Sequence, residues 1–208
     1  MYTLGRDGMS CMTDLIHVID TLTPSEIDKV KNYLEPDWWQ PTTVFGISGA
    51  EENKSVRNNE RICLHDTSEA ANIIHDAMNK SLLKYRDELA NVHMEFVRFP
   101  VPGTYRTQCY REGIQVLRYQ TDQHYNWHVD QATDKDINEY HRSISIVLYL
   151  TDDFEGGRTV FPHRAYKPKA GQALIFPSNW CFPHKSEPVT KGEKMVAVTW
   201  YHSHYDFN

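Results

Sequence analysis

His124-Tyr125-Asn126-Trp127-His128-Val129-Asp130 is the run on which the reading of this chain turns. In an extended chain alternate side chains share a face, so His128 and Asp130 are predicted to project the same way. Two ligands so spaced can grip one metal ion from one side. Downstream, Pro183-His184-Lys185 offers a third candidate ligand, and Lys194 follows ten residues later at the head of an apolar strand. Two histidines and a carboxylate on one face leave the opposite face open, a donor set suited to non-heme Fe(II) and oxygen chemistry.

A His-x-Asp pair alone carries little weight, because the chain holds 11 histidines and a chance pairing with an acid is common. Its plain reading is an exposed strand with two polar positions. The conjunction is what is specific: a strand bearing the pair, a second long strand, a Gly-Gly turn, an isolated histidine, then a strand-borne lysine.

The chain has 208 residues, enough for one domain with an ample core. Hydrophobic residues make up 40% and charged ones 24%, ordinary values for a soluble globular protein. Net charge is −6 without a basic block, which argues against a general nucleic-acid surface. Cys11, Cys63, Cys109 and Cys181 are scattered and read as reduced thiols of a cytoplasmic protein. No signal pattern or membrane-spanning run is seen, so no membrane partner is expected.

In chain order, Leu15–Ile19 alternates as a short strand. Thr23, Pro24 and Glu26 form a helix start, with Ile27, Val30 and Leu34 on one face and Pro36 as the stop. Residues 39–61 are rich in Gly, Ser, Asn and charge and read as a loop or loose hairpin, long enough for a lid. A second helix is predicted from Asp66 to about Ala90, since Ala70, Ile74, Ala77, Met78, Leu82, Tyr85 and Leu89 recur at helical spacing. That stripe is core. Met94–Phe99 alternates as a strand, and the loop from Val101 to Gly113 carries Tyr105, Arg106, Tyr110 and Arg111.

From there the chain is β-rich. Strands are predicted at Ile114–Tyr119, Tyr125–Asp130, Ser143–Leu150, Arg158–Phe161, Ala173–Pro177, Cys181–Lys185 and Met195–His202, separated by turns such as Glu155-Gly156-Gly157. The fold class is α+β and β-rich, a sandwich or jelly roll with two N-terminal helices packed on one sheet. One domain over residues 1–208 is expected, with helical support at 14–91 and the core at about 93–204. Lys194 leads Met195-Val196-Ala197-Val198, where burying it without an anion would be costly. Residue type alone favours a Lys194 that faces solvent at the strand's end.

Residues 114–202 resemble the catalytic core of the Fe(II)/2-oxoglutarate-dependent dioxygenases, in their prolyl 4-hydroxylase-like branch. The likeness rests on Val116-Leu117-Arg118-Tyr119, Tyr125-x-x-His128-x-Asp130, Arg142 through Tyr149-Leu150, Gly156-Gly157-Arg158-Thr159-Val160-Phe161-Pro162, and His184 with Lys194 and Trp200. It implies a double-stranded β-helix (jelly-roll) core that binds Fe(II) through His128, Asp130 and His184, with 2-oxoglutarate as co-substrate, O2 as oxidant and ascorbate as reductant. Lys194 would hold the far carboxylate of 2-oxoglutarate, and Tyr119 and Tyr149 match tyrosines that hydrogen-bond it. Tyr125, Arg57, Asn58, Tyr105 and Trp200 are the candidate substrate contacts. Val56-Arg57-Asn58-Asn59 resembles the arginine-bearing lid of prolyl hydroxylases, and for each tyrosine core packing is the alternative. Asp130 disfavours the halogenases of this superfamily. The lack of paired arginines after His184 disfavours its nucleic-acid demethylases.

Three functions stay open. The leading one hydroxylates a C–H bond of a peptidyl proline, giving succinate and CO2 as co-products. The second hydroxylates a free amino acid or another small molecule. The third is a non-catalytic metal-binding sensor, which would want a fourth ligand such as His202 or His204.

Overall fold

Thr23 caps the first helix in the computed structural model of the chain, which describes residues 12–46, 49–92, 109–131 and 141–203. Its hydroxyl accepts from the Glu26 amide while the Glu26 carboxylate accepts from the Thr23 amide, and α1 spans Pro24–Tyr33. The second helix starts later than predicted: α2 spans Glu69–Val92. Ser68 takes the cap, its Oγ accepting from the Ala71 amide at 3.1 Å and its carbonyl from the Asn72 amide at 3.0 Å. Asp66 is engaged elsewhere, 3.3 Å from Arg111.

A 3-10 turn over Met12–Leu15 displaces the first strand, so β1 runs His17–Asp20. The stretch read as a loop or lid carries strands: β2 (Gln40–Pro41), β3 (Val44–Gly46), β4 (Gly49–Glu51), β5 (Arg57–Asn58) and β6 (Glu60–Cys63). Only β3 and β4 form the expected hairpin. The rest are sheet members, because β6 pairs with the strand at Gln115–Tyr119 and β5 with that at His124–His128. Next come β7 (Cys109–Arg111), β8 (Gln115–Tyr119), β9 (His124–His128) and β10 (His141–Tyr149). Then follow β11 (Glu155–Gly156), β12 (Thr159–Phe161), β13 (Arg164–Tyr166) and β14 (Gln172–Pro177). The last are β15 (His184–Ser186), β16 (Val189–Lys191) and β17 (Lys194–Ser203). β15 begins later than expected because Asn179 binds the amides of Cys181 and Phe182 in a turn. The expected strand at Met94–Phe99 lies outside the described residues.

The strands form a large antiparallel sheet, ordered β1-β14-β10-β17-β8-β6-β2 with β7 beside β17, and a smaller one, ordered β13-β12-β15-β9-β5. Period-two alternation gives the large sheet two apolar faces. Val116, Ile146, Leu148, Ile175 and Ala197 pack against Ile74, Met78, Leu82 and Tyr85 of α2. Their strand neighbours Leu117, Tyr119, Tyr149, Leu174, Phe176, Val196 and Val198 join Phe161 and Tyr166 of the smaller sheet. The second cluster is the floor of the site described next. Among the described residues no helix is long and apolar enough to cross a membrane.

Candidate metal centre

His128, Asp130 and His184 come together, one ligand atom from each lying within 4.8 Å of the others. The route differs from simple strand alternation. β9 ends at His128, and Asp130 lies two residues beyond it. His184 of β15 pairs with His128, whereas Ser186 pairs with Tyr125, so β9 holds one residue more than its partner. That bulge turns Tyr125 and His128, three apart and otherwise on opposite faces, onto one face. The two rings stack at 3.6 Å.

The ring nitrogens are sorted by their partners. His128 Nδ1 lies 2.8 Å from the Asn126 carbonyl and His184 Nδ1 lies 3.1 Å from that of Phe182. A carbonyl only accepts, so both Nδ1 atoms carry the proton and donate it. That leaves the Nε2 atoms as the ones available to a metal, and they lie 3.5 Å (His128 to Oδ1) and 3.7 Å (His184 to Oδ2) from Asp130. Burial pushes the His184 pKa down to about 4, which keeps the imidazole neutral and able to ligate. Asp130 is 9% exposed. Burial works against its charge, but His184, His128 and the Ser145 hydroxyl outweigh it and hold its pKa well below the usual carboxylate range. Ser145 Oγ donates to Asp130 Oδ2 at 2.7 Å and pairs with Ser178 Oγ at 2.8 Å.

Two imidazoles and one carboxylate that converge in this way fit a divalent first-row metal, which imidazole binds in its neutral form. His202 does not complete a closed site. Its Nε2 binds Glu112 at 2.6 Å.

Lys194 is buried, 2% exposed, contrary to what its residue type favours. Its ammonium donates to the Gly157 carbonyl at 2.8 Å and Ser186 Oγ at 2.9 Å. Among the described residues it forms no ion pair, and its neighbour Glu193 turns toward Arg118, 3.9 Å away. Burial pushes its pKa down to about 7, with Glu187 opposing. The ammonium lies 5.0 Å from the Tyr119 ring centre and 5.4 Å from that of Tyr149. Burial raises both phenols, Tyr119 to about 12, so both remain hydrogen-bond donors. Tyr149 already meets Thr159 Oγ1 at 2.8 Å. A buried cation with no ion pair among the described residues, flanked by hydroxyl side chains, is a fitting seat for a carboxylate ligand.

Of the substrate candidates, Arg57 and Tyr125 come to the site. The Arg57 guanidinium lies 4.6 Å over the Tyr125 ring and is steadied by Asn59 Oδ1 at 3.1 Å. Asn58 is half-buried beside His124, one position from that pair. Trp200 is half-buried and stacks on the Arg142 guanidinium at 3.7 Å. Tyr105 lies outside the described residues. Sequence reading missed Ser145, Ser178 and Ser186, all buried. Ser145 and Ser186 could have been found: Ser145 interrupts an apolar strand, and Ser186 shares the face of His184 two residues on.

Residues 114–202 match the sequence model of the 2OG-Fe(II) oxygenase superfamily. A provisionally named prolyl 4-hydroxylase of Acanthamoeba polyphaga mimivirus is 38% identical over 107 residues, 43% of this chain and 44% of that protein. The chain thus spans under half the length of this relative. The PKHD-type hydroxylase YbiX of Escherichia coli is 27% identical over 198 residues, covering 91% of this chain and 78% of its own. In fold, the chain resembles the viral collagen prolyl hydroxylase of Paramecium bursaria Chlorella virus-1, solved with 2-oxoglutarate, at a TM-score of 0.65. That likeness covers 94% of this chain and 99% of the viral one at 23% identity, and speaks for the fold alone. The stretch 114–202 belongs to the 2OG-Fe(II) oxygenase superfamily, and the relatives it resembles carry prolyl 4-hydroxylase and PKHD-type hydroxylase names.

Proposed function

We propose that the protein is an Fe(II)- and 2-oxoglutarate-dependent hydroxylase acting on a proline within a peptide or protein. The observation that carries this reading is the adjacency of two features: three convergent candidate ligands, and a buried lysine that forms no ion pair among the described residues. His128, Asp130 and His184 would hold the iron, and Lys194 would pair with the far carboxylate of 2-oxoglutarate, with Tyr119 and Tyr149 lending hydroxyls. Together iron, 2-oxoglutarate and O2 supply the oxidising power for C–H hydroxylation, giving succinate and CO2, with ascorbate keeping the iron ferrous.

The chain's own part is binding and orientation. The Nδ1 bonds to carbonyls aim both Nε2 lone pairs inward, and Ser145 does the same for one carboxylate oxygen. Apolar residues such as Phe161, Phe176 and Val198 line the floor and limit water. Arg57 and Tyr125, stacked at one side, are suited to hold a peptide backbone or a proline ring. Successive core strands β8, β9, β10, β12, β14, β15 and β17 alternate between the large and the small sheet, and β13 pairs with β12 at the edge of the small one. This supports a double-stranded β-helix within one domain. The free thiols of Cys63 and Cys181 support a reducing, cytoplasmic setting.

The test loads the protein anaerobically with Fe(II), adds 2-oxoglutarate and O2, and measures succinate with and without a panel of proline peptides. A peptide that stimulates succinate and gains one oxygen by mass supports the reading. Stimulation only by a free amino acid would overturn the peptide assignment, and no turnover with loaded iron would overturn the enzyme.

A further inference from the structure

Asp130 is the ligand candidate with the least backbone support, since β9 and its ladder end at His128. What fixes the main chain there comes from elsewhere. Arg142, near the start of β10, sends Nη1 back to the Asp130 carbonyl at 3.1 Å. Its other two nitrogens fork onto Glu112, Nε to Oε1 at 2.5 Å and Nη2 to Oε2 at 2.7 Å. The guanidinium is flat against Trp200 on one side. Glu112 is itself pinned: its amide donates to the Trp200 carbonyl at 2.9 Å and its carbonyl accepts from Thr199 Oγ1 at 2.8 Å. The ring of His202 adds a third bond to the Glu112 carboxylate. Burial opposes that carboxylate's charge, and the bonds from His202 and Arg142 hold its pKa below the ordinary value.

This arrangement solves an electrostatic problem. A lone guanidinium beside a metal site would repel a dication, but a bidentate partner cancels its charge and leaves its donors in place. We propose that Arg142, locked by Glu112 and Trp200, is a positioning residue that holds the Asp130 backbone so that its carboxylate meets the metal. The inference rests on reading His128, Asp130 and His184 as the metal site. It adds a clamp on the Asp130 main chain, separate from the Ser145 bond to its carboxylate.

The test titrates metal-free protein with Mn(II), reading free Mn(II) by electron paramagnetic resonance, and follows amide exchange by mass spectrometry. Arg142→Gln is expected to weaken Mn(II) binding about tenfold or more, the usual range for partners behind a ligand. Exchange should speed up at residues 129–131 while β8 and β14 keep their protection. Arg142→Lys should recover part of the affinity, since one donor can still reach the carbonyl. Unchanged affinity in folded Arg142→Gln would overturn the inference, and so would loosening spread evenly over the sheet. If Arg142→Gln does not fold, Glu112→Gln decides, because it keeps Arg142 but weakens its lock; wild-type affinity there overturns the clamp. Asp130→Ala, run in parallel, separates the two readings. Wild-type affinity in Asp130→Ala sinks the metal site itself, whereas loss there with none in Arg142→Gln sinks only the clamp.

Discussion

The Tyr125 ring lies flat on the His128 imidazole, with centroids 3.6 Å apart and planes 15° from parallel. The Arg57 guanidinium lies over the same tyrosine ring at 4.6 Å, so a cation, a phenol and the imidazole of a candidate ligand lie together. The β-bulge in β9 makes it possible, and the stack in turn limits how far the imidazole can swing. Tyr125→Phe keeps the stacking surface and should leave Mn(II) affinity within about twofold of wild type. Tyr125→Ala removes it and should weaken binding by roughly tenfold, within the range for groups that orient a ligand. Equal affinities for the two variants would show that the ring does not steady His128.

As the proposed partner of the far carboxylate of 2-oxoglutarate, Lys194 should set a pH dependence on co-substrate binding. Its folded pKa of about 7 is far below the ordinary lysine value of 10.5. Below pH 7 the ammonium is charged in the free protein, and binding an anionic carboxylate costs no protonation. Above pH 7 the free protein holds a neutral amine, so binding must take up a proton. Affinity for 2-oxoglutarate should therefore be flat below about pH 7 and fall by up to tenfold per pH unit above it. The fall ends at the raised pKa of the complex. Anaerobic titration of the Fe(II)-loaded protein, in buffers of different ionisation enthalpy, reads both the slope and the proton uptake. Lys194→Arg, charged throughout, should lose the slope; a slope that persists would assign it to another group.

Burial of Lys194 on folding carries a pH dependence of its own. A lysine whose folded pKa lies below its unfolded one costs stability at low pH, and the penalty builds as pH drops from 10.5 toward 7. Below about 7 it is constant. Lys194→Met should accordingly raise the melting temperature at pH 7 and raise it less at pH 10, while abolishing 2-oxoglutarate binding. A melting temperature that falls at both values would mean that the ammonium's bonds to Gly157 and Ser186 outweigh its desolvation.

Arg57 separates substrate handling from the iron site. It touches Tyr125 and Asn59, and neither is among the three candidate ligands. Arg57→Ala should slow peptide-stimulated turnover by roughly tenfold or more, as losing a charge-assisted contact of about 1.5–3 kcal/mol would. Uncoupled succinate formation should stay near wild type. Equal loss of both would make Arg57 a support for the Tyr125–His128 stack.

How much of this was legible in the chain follows from the range of each signal. Thr23, Pro24 and Glu26 are local, and the helix they open begins where predicted. His128, Asp130 and His184 were legible as chemistry because residue type and spacing constrain a metal site. The route that joins them was not, since the bulge in β9 is fixed by pairing with β15, some 60 residues on. The same holds for residues 57–61, read as part of a lid. Polar Arg57, Asn58 and Glu60 look like loop until β8 and β9 supply their partners. Lys194 shows the limit of residue type: its burial is set by the second sheet, through Gly157 and Ser186.

The turn that presents the Gly157 carbonyl to Lys194 gives a last prediction. Gly156 has φ +70°, and a Cβ there would lie 2.4 Å from the Pro188 carbonyl oxygen, a backbone atom with little room to yield. Gly171 is equally strained, with φ +86° and a Cβ position 2.4 Å from the Leu22 carbonyl oxygen, but it packs against the approach to α1. For an alanine the left-handed conformation alone costs about 1–2 kcal/mol. The clash adds to that, so each alanine variant should lower the melting temperature by roughly 4 °C or more in a chain of this size. Their effects on binding should differ. Gly156→Ala opens the turn whose next carbonyl holds the ammonium, and 2-oxoglutarate affinity should fall severalfold with Mn(II) affinity kept. Gly171→Ala should leave both affinities unchanged. Should the two variants lose 2-oxoglutarate affinity alike, the loss would come from general softening, and the Gly157 carbonyl would not be what orients Lys194.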